Sequence, residues 1–224
     1  MTAADLVDSI CMALREAADP SIAPGQQAYM KSAMPFLGVT MPVTRSLTTQ
    51  VVRGTDDPEE LRAIATTLWR EATHREERYA ATTVIGLRPL RARLDMLDLH
   101  EEMIRTGAWW DHVDEVSARV TEVLAAHPLE VTQLMLLWTG DDDMWIRRAS
   151  IISQLRRKSA TDRELLTIAI ESNIHDTEFF IRKAIGWALR EYAKTDPEWV
   201  RAFVAAHGAE LSGLSRREAL KHLT

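Results

Sequence analysis

The sequence predicts an all-α protein built as an α-solenoid of antiparallel helix pairs, and two observations lead to this fold class. The 224 residues include only 9 Gly and 8 Pro, whereas Ala, Leu, Arg and Glu, which favour helices, are abundant. Apolar residues recur at i, i+3, i+4 and i+7, and no run alternates with the period of two typical of a strand. The helical pattern is clearest at Leu61, Ile64, Ala65, Leu68 and Trp69, at Val116, Val120, Val123 and Leu124, and at Phe180, Ala184, Trp187, Ala188 and Tyr192.

Turn signals divide this helical pattern into units of similar length. Helix pairs are predicted to begin near residues 57, 94, 128, 161 and 196, a spacing of about 33–37 residues. A period of this length made of helix pairs is typical of a solenoid, which curves around a concave inner face. Because the units are only weakly alike in sequence, an irregular helical bundle is the alternative. We expect one domain over residues 1–224. The turn signals are Asp57-Pro58, Gly107, His127-Pro128, Gly140-Asp141-Asp142-Asp143, Asp196-Pro197 and Gly208.

The composition argues against several kinds of site. Cys11 is the only cysteine, so neither an internal disulfide nor a cysteine-based zinc site can form. The histidines show no spacing typical of metal ligands, and neither a glycine-rich nucleotide loop nor a serine-hydrolase motif occurs. We therefore expect neither a metal nor a cofactor.

The N-terminal segment does not resemble a targeting sequence. Its first 20 residues carry acidic side chains within the apolar pattern, as an amphipathic helix does and a signal peptide does not. No apolar run approaches the roughly 20 residues needed to span a bilayer. The sequence therefore predicts a cytoplasmic protein.

Charge is distributed unevenly along the chain, whose net charge is −6. Residues 144–224 contain 14 Lys or Arg and 10 Asp or Glu, a charge of +4, which leaves −10 for residues 1–143. An acidic total argues against a nucleic-acid ligand, but one basic surface is sufficient for phosphate contact. The alternative is that these basic residues form solvated helix faces. They cluster at Arg147-Arg148, Arg156-Arg157-Lys158, Arg182-Lys183 and Arg216-Arg217.

Two segments place aromatic residues beside charge, WWDHVD (109–114) and FFIRKAIGW (179–187). Trp110 and Asp114 are four residues apart and share one face of a helix. A carboxylate against an indole suits a site that holds a flat or sugar-like group and offers it negative charge. Asp111 falls in the first turn of the same helix, where the helix dipole favours a carboxylate, so we expect a structural role for it.

The tryptophans divide into core and site candidates. Trp109 and Trp110 point about 100° apart on a helix, so one is expected in the core and the other in a cleft. Trp69, Trp138 and Trp145 are assigned to the core.

These segments resemble the AlkD-type DNA alkylation-repair glycosylases, which are built from HEAT-like helical repeats. The resemblance covers nearly the whole chain, and its specific parts are the WWDxVD motif and the long segment that follows Phe179. The matching segments are AYMKSAMPFLGVTMPVTR (28–45), LWREATHREERYAA (68–81), WWDHVDEVS (109–117), MWIRRASIISQL (144–155), FFIRKAIGWALREYAKTDPEWV (179–200) and LSRREALKH (214–222).

The resemblance implies a solenoid of HEAT-like helix pairs whose concave face binds DNA, and it assigns roles to individual residues. Asp114, Trp110, Trp187 and Arg148 match the family's catalytic positions. Arg148 is expected to hold a phosphate, and the two indoles to pack on the sugar–phosphate backbone. DNA-binding candidates are Tyr29, Arg147, Arg182, Lys183, Arg216 and Arg217. The implied partner is double-stranded DNA with alkylated bases, bound by a monomer that is associated with the nucleoid while on DNA.

The implied activity is that of a DNA glycosylase in base excision repair. Alkylation of a purine ring nitrogen, as in 3-methyladenine or 7-methylguanine, makes the base cationic and a good leaving group. Asp114 would stabilise the oxocarbenium-like sugar and position a water molecule. The alternatives are a non-catalytic helical-repeat protein that binds DNA structures or partner proteins, and a scaffold for peptides. The intact set of four catalytic positions favours the enzyme.

Overall fold

The structure, a computed structural model, describes residues 1–223, which form thirteen α-helices and three single-turn 3-10 helices and contain no strand. The α-helices are α1 (Ala3–Glu16), α2 (Ala23–Met30), α3 (Met41–Val51), α4 (Pro58–Arg70), α5 (Arg75–Ile85), α6 (Leu97–Gly107), α7 (Trp110–Ala126), α8 (Pro128–Trp138), α9 (Met144–Ile152), α10 (Arg163–Glu171), α11 (Phe179–Tyr192), α12 (Pro197–Ala206) and α13 (Gly213–Ala219). The 3-10 helices are Arg88–Leu90, Leu94–Met96 and Lys158–Ala160.

The all-α prediction is confirmed, and so is the division into helix pairs. The pairs α4–α5, α6–α7, α8–α9, α10–α11 and α12–α13 begin where the turn signals place them. Three further helices, α1 to α3, precede the first pair. Within the described part of the chain, no helix is long and apolar enough to cross a membrane.

Side-chain caps explain why these helices begin where they do. The carboxylates of Asp57, Asp143, Asp162 and Asp196 accept hydrogen bonds from backbone N–H groups in the first turns of α4, α9, α10 and α12. Each bond satisfies a donor that has no partner within the helix, and the negative charge complements the helix dipole. Three of the turn signals, those that contain Asp57, Asp143 and Asp196, therefore supply capping residues.

The chain divides into two compact units, residues 1–99 and 100–224. In the first unit α1 packs against α3, α4 and α5. The buried carboxylate of Glu76, on α5, accepts hydrogen bonds from the backbone N–H groups of Leu37, Gly38 and Val39 at 2.9 to 3.1 Å. Gly38 has a φ of +89° and lies against the carbonyl oxygen of Asp19. Glu76 thereby fixes the connection between α2 and α3, which lies in the segment 28–45.

In the second unit, the second helix of each pair packs against the second helix of the next pair. Helix α7 packs against α9, α9 against α11, and α11 against α13. One hydrophobic cluster of this unit is formed by buried apolar side chains from α9 to α13, and Trp187 packs against it. Trp138 and Trp145, like Trp69 in the first unit, are buried, as predicted. The helices α7, α9 and α11, which carry the candidate catalytic residues, are therefore neighbours.

Helix α11 approaches α13 closely at Gly186, which is buried. A Cβ atom at this position would lie 2.5 Å from Cβ of Glu218 and 2.9 Å from the carbonyl oxygen of Ser215. The hydroxyl of Ser215 donates to the carbonyl oxygen of Arg182 at 2.8 Å, which holds the two helices at this separation. The glycine therefore serves packing rather than a turn.

We expect Gly186→Ala to lower the free energy of unfolding by about 2 kcal/mol, because the added methyl group overpacks the contact between α11 and α13. Urea unfolding followed by circular dichroism measures this loss. Gly140→Ala is the matched control, since a Cβ there meets no atom within 4 Å. If the two variants were equally stable, α13 would move away from the added methyl group without any loss in the free energy of unfolding.

Candidate functional site

The centre of the candidate site is an ion pair between Asp114 on α7 and Arg148 on α9. Nε and Nη2 of Arg148 donate to Oδ1 and Oδ2 of Asp114, both at 2.8 Å. This bidentate geometry is the strongest arrangement of a guanidinium and a carboxylate. Arg148 is 3% exposed, whereas the side chain of Asp114 is 19% exposed. The carboxylate is therefore the member of the pair that solvent, or a ligand, can reach.

The guanidinium of Arg148 is fixed by a third helix as well. Its Nη1 donates to the backbone carbonyl of Phe180, in the first turn of α11, at 2.7 Å. The guanidinium carbon lies 5.9 Å from the ring centre of Phe180 and 6.0 Å from that of Trp187, within the range of a cation–π contact. Arg148 thus joins α7, α9 and α11 at one point.

Aromatic rings pack beside this ion pair. The ring of Phe180 lies 5.2 Å from Trp109 and 4.9 Å from Trp145, measured between ring centres. Trp109 precedes α7 in an extended conformation, so its indole leaves the chain in a different direction from Trp110. The indole Nε1 of Trp109 is buried without a hydrogen-bond partner among residues 1–223. Trp109 and Trp110 are both half-buried, so neither is a core residue, and Trp109 belongs to the aromatic cluster with Trp145 and Phe180.

Trp110 and Asp111 lie in the first turn of α7. Trp110 is half-buried and one helical turn before Asp114, so its indole and the carboxylate share one face of α7. An Asp111 carboxylate oxygen accepts a hydrogen bond from the backbone N–H of His112 at 3.0 Å. This contact fits the structural role expected of Asp111.

Burial raises the pKa of Asp114 above the usual value of an aspartate. The hydrogen bonds and the charge of Arg148 act in the opposite direction, and the nearby carboxylate of Asp111 raises the pKa further. Desolvation is the largest of these effects, because the folded chain removes water that would otherwise stabilise the charged form. A carboxylate with a raised pKa in a partly open site is a typical functional group.

Two of the basic residues expected at DNA are bound to carboxylates of the chain itself. Arg147 donates through Nη2 to Asp176 at 2.9 Å and through Nη1 to the carbonyl oxygens of Asp141 and Asp142. Lys183 lies 2.8 Å from a carboxylate oxygen of Glu218, which also binds Arg190. These pairs reduce the charge that either cation presents to solvent.

The other DNA-binding candidates are more open. Arg216 and Arg217 are exposed on α13, and Arg182 is half-buried on α11. Among the described residues none of these three has an ion-pair partner within 4 Å. Tyr29 belongs to the first unit, where it lies on α2 with 74% of its surface exposed. Their contacts with DNA stay predictions.

The structure differs from the sequence analysis in the position of Arg148 and adds one residue to the site. Arg148 was expected to hold a phosphate, but its guanidinium is buried and bound to Asp114 and to the carbonyl of Phe180. Phe180 had no assigned role, and its contribution through a backbone carbonyl has no signal in the sequence. Among residues 1–223 no three His, Cys, Asp or Glu side chains are arranged to hold a metal ion.

We expect Asp114→Asn to lower the free energy of unfolding by about 2 kcal/mol, since it leaves the buried Arg148 guanidinium without its counter-ion. Asparagine is nearly isosteric with aspartate, so the shape of the side chain alone would leave the free energy of unfolding unchanged. The double variant Asp114→Asn, Arg148→Gln should recover part of this loss, because it removes the unpaired charge. A double-mutant cycle measured by urea unfolding checks this, and strict additivity of the two changes would rule out the coupling.

Comparisons with a family model and with a solved structure identify the family of this chain. The family model described as DNA alkylation repair enzyme matches residues 10–223. A solved structure described as a predicted DNA alkylation repair enzyme from Enterococcus faecalis is similar, with a TM-score of 0.82 and 30% sequence identity over 92% of this chain and 97% of that chain. No curated protein matches. The match over nearly the whole chain shows that it belongs to the DNA alkylation repair enzyme family, and hence has a role in DNA repair.

Proposed function

We propose that the protein is a DNA glycosylase that releases alkylated, cationic purines such as 3-methyladenine and 7-methylguanine from duplex DNA. The observation that carries the proposal is the Asp114 carboxylate, which is partly open, raised in pKa and held in place by a buried arginine. A protein that only bound DNA would have no use for a carboxylate facing a phosphodiester backbone, because the two anions repel each other.

Asp114 can supply the chemistry that this reaction needs. The bond between C1′ and the purine nitrogen breaks, and the cationic base leaves as a neutral molecule with both bonding electrons. The sugar becomes oxocarbenium-like, and a water molecule adds to C1′ and gives up a proton to the carboxylate or to solvent. No strong general acid is required, because the leaving base already carries positive charge.

Arg148 is a positioning residue in this proposal. It uses one acceptor position on each oxygen of Asp114, and a carboxylate has about four such positions, so the outer positions stay available to the sugar and the water molecule. Because the oxygens are already oriented, little reorganisation is needed when positive charge develops on the sugar. The phosphate contact expected of Arg148 passes to residues with more exposed side chains.

The two half-buried indoles complete the proposed catalytic group. Trp110 shares the face of α7 that carries Asp114, and Trp187 lies beside the guanidinium of Arg148. Indole faces attract cations, so both rings favour a positively charged nucleotide over an undamaged one. They also offer flat apolar surfaces on which a deoxyribose can pack.

Contacts with the DNA backbone are assigned mainly to the exposed cations. Arg216 and Arg217 on α13 and Arg182 on α11 are free of ion pairs among residues 1–223, so they can neutralise phosphates without first breaking an internal contact. Arg147 and Lys183 contribute less, since each must leave a carboxylate to bind a phosphate. Tyr29 is an exposed aromatic contact in the first unit, and one molecule of the protein is sufficient for the reaction.

We expect the purified protein to release alkylated purines from methylated duplex DNA without added metal or cofactor, and Asp114→Asn to slow this release about a hundredfold or more. A positioned charge typically contributes a few kcal/mol to transition-state stabilisation. Single-turnover release of labelled base, followed by chromatography at a temperature well below the unfolding midpoint, measures the rate.

Asp111→Asn is the matched control, since it removes a neighbouring carboxylate in the first turn of α7 and should leave the rate within a few-fold of the native protein. Near-native release by Asp114→Asn would remove Asp114 from the mechanism. Loss of release in excess chelator would contradict a metal-free reaction. Binding of DNA with no release of any alkylated base would favour the non-catalytic alternative.

The pH dependence of release should report the raised pKa of Asp114. The ionised carboxylate is the active form, so the rate falls as the pH drops through a pKa that lies above the usual value of an aspartate. Arg148→Gln removes the contacts that lower this pKa, so the acid limb should move to higher pH. Arg147→Gln removes the same charge one residue away and should leave the limb in place. If the acid limb of the Arg148→Gln variant did not move, Arg148 would have no influence on the ionisation of Asp114.

A further inference from the structure

A second feature of residues 100–224 is a cavity of about 300 Å³ between the carboxyl-terminal ends of α9 and α11 and the start of α10. None of the residues assigned to catalysis or to DNA binding lines it. Its volume is at the lower end of the range of small-ligand sites. Its wall includes Arg156, Lys158, Glu191, Tyr192, Lys194 and Thr195.

The charge of the cavity wall is positive. Three cations, Arg156, Lys158 and Lys194, face a single carboxylate, that of Glu191. Lys194 lies 2.6 Å from a Glu191 oxygen, and this exposed pair is weak. Neither Arg156 nor Lys158 has an ion-pair partner within 4 Å in residues 1–223. The cavity therefore offers two uncompensated cations in a chain whose total charge is negative.

The backbone of these two residues is strained. Arg156 has a φ of +67° and Lys158 a φ of +54°, in the left-handed region that glycine adopts readily and other residues rarely do. Arg156 and Lys158, which are separated by one residue, both line the cavity in this conformation. Glycine would adopt it at a lower conformational free energy. Strained backbone of this kind is concentrated at binding and active sites.

The cavity is framed by fixed contacts. The side-chain amide of Gln154 donates to the carbonyl oxygen of Asp162 and accepts from its backbone N–H, both at 2.8 Å, which closes the loop that carries Arg156 and Lys158. On the opposite wall the ring of Tyr192 packs edge-on against Trp199, with 5.3 Å between ring centres. The site is formed before any ligand arrives.

We propose that this cavity binds a phosphate group, supplied either by the DNA backbone or by a free phosphate ester. The two cations and Lys194 provide the charge, and the phenol of Tyr192 provides a further donor. Leu155 follows Arg148 by seven residues and lies just beyond the end of α9, and Lys194 follows Trp187 by seven residues and lies just beyond the end of α11. The DNA source rests on the proposed function.

The test is a titration of the full chain with inorganic phosphate at constant ionic strength, followed by two-dimensional ¹H–¹⁵N NMR. We expect saturable shifts of the backbone amides of Lys158 and Thr195. The double variant Arg156→Gly, Lys158→Gly removes both charges and relieves the strained backbone, so the fold is retained, and affinity for phosphate should fall at least tenfold. Arg157→Gln removes an adjacent charge that does not line the cavity, and it should bind phosphate as the native chain does.

A second titration adds undamaged duplex DNA to the phosphate-loaded protein and identifies the source. Displacement of phosphate by the duplex supports a DNA backbone contact, and retention of phosphate supports a free phosphate ester. Shifts that do not saturate, or that are equal in the double-glycine variant, overturn the proposal. Failure of base release, measured separately, removes the glycosylase and leaves a saturable phosphate site intact, so the two failures are distinguishable.

Discussion

The bidentate ion pair between Asp114 and Arg148 is the interaction on which the candidate site depends. Each of its elements comes from a different helix: the carboxylate from α7, the guanidinium from α9 and the carbonyl of Phe180 from α11. The pair together with its carbonyl contact therefore forms only when three successive repeats are stacked. The repeat architecture positions the site, because the lateral packing of α7, α9 and α11 sets the distances among its groups.

Two carboxylates of this protein, Glu76 and Asp114, show how the degree of burial separates a structural role from a chemical one. Glu76 is fully buried and accepts from three successive backbone N–H groups, so its charge is stabilised and used to fix a loop. Asp114 is partly exposed, receives its hydrogen bonds from one side chain and has a raised pKa. A buried ion pair contributes little net stability, since desolvation offsets the Coulombic attraction. We therefore infer that the main effect of the ion pair at Asp114 is to orient a reactive carboxylate.

The sequence predicts the helices and part of the site, and fails where the contact has no local signature. Helix starts at Pro58 and Pro197 follow from proline and the aspartate that precedes it, and the start at Pro128 follows from proline alone. The shared face of Trp110 and Asp114 follows from their spacing of four. The carbonyl of Phe180 could not be predicted, because every residue carries one. The binding of Lys183 by Glu218, 35 residues later, depends on the close packing of α11 and α13 at Gly186.

The net charge of −6 is at odds with DNA binding only when every charge is counted equally. Arg147 and Lys183 lie in basic clusters of the sequence, yet each is bound to a carboxylate. Arg156, Lys158, Arg216 and Arg217 are exposed and have no ion-pair partner within 4 Å in residues 1–223. Because phosphate contact depends on accessible, uncompensated cations near the ligand, these four matter more than the total. An acidic chain can bind an anion when the carboxylates beside the binding surface are already engaged as helix caps or as ion-pair partners.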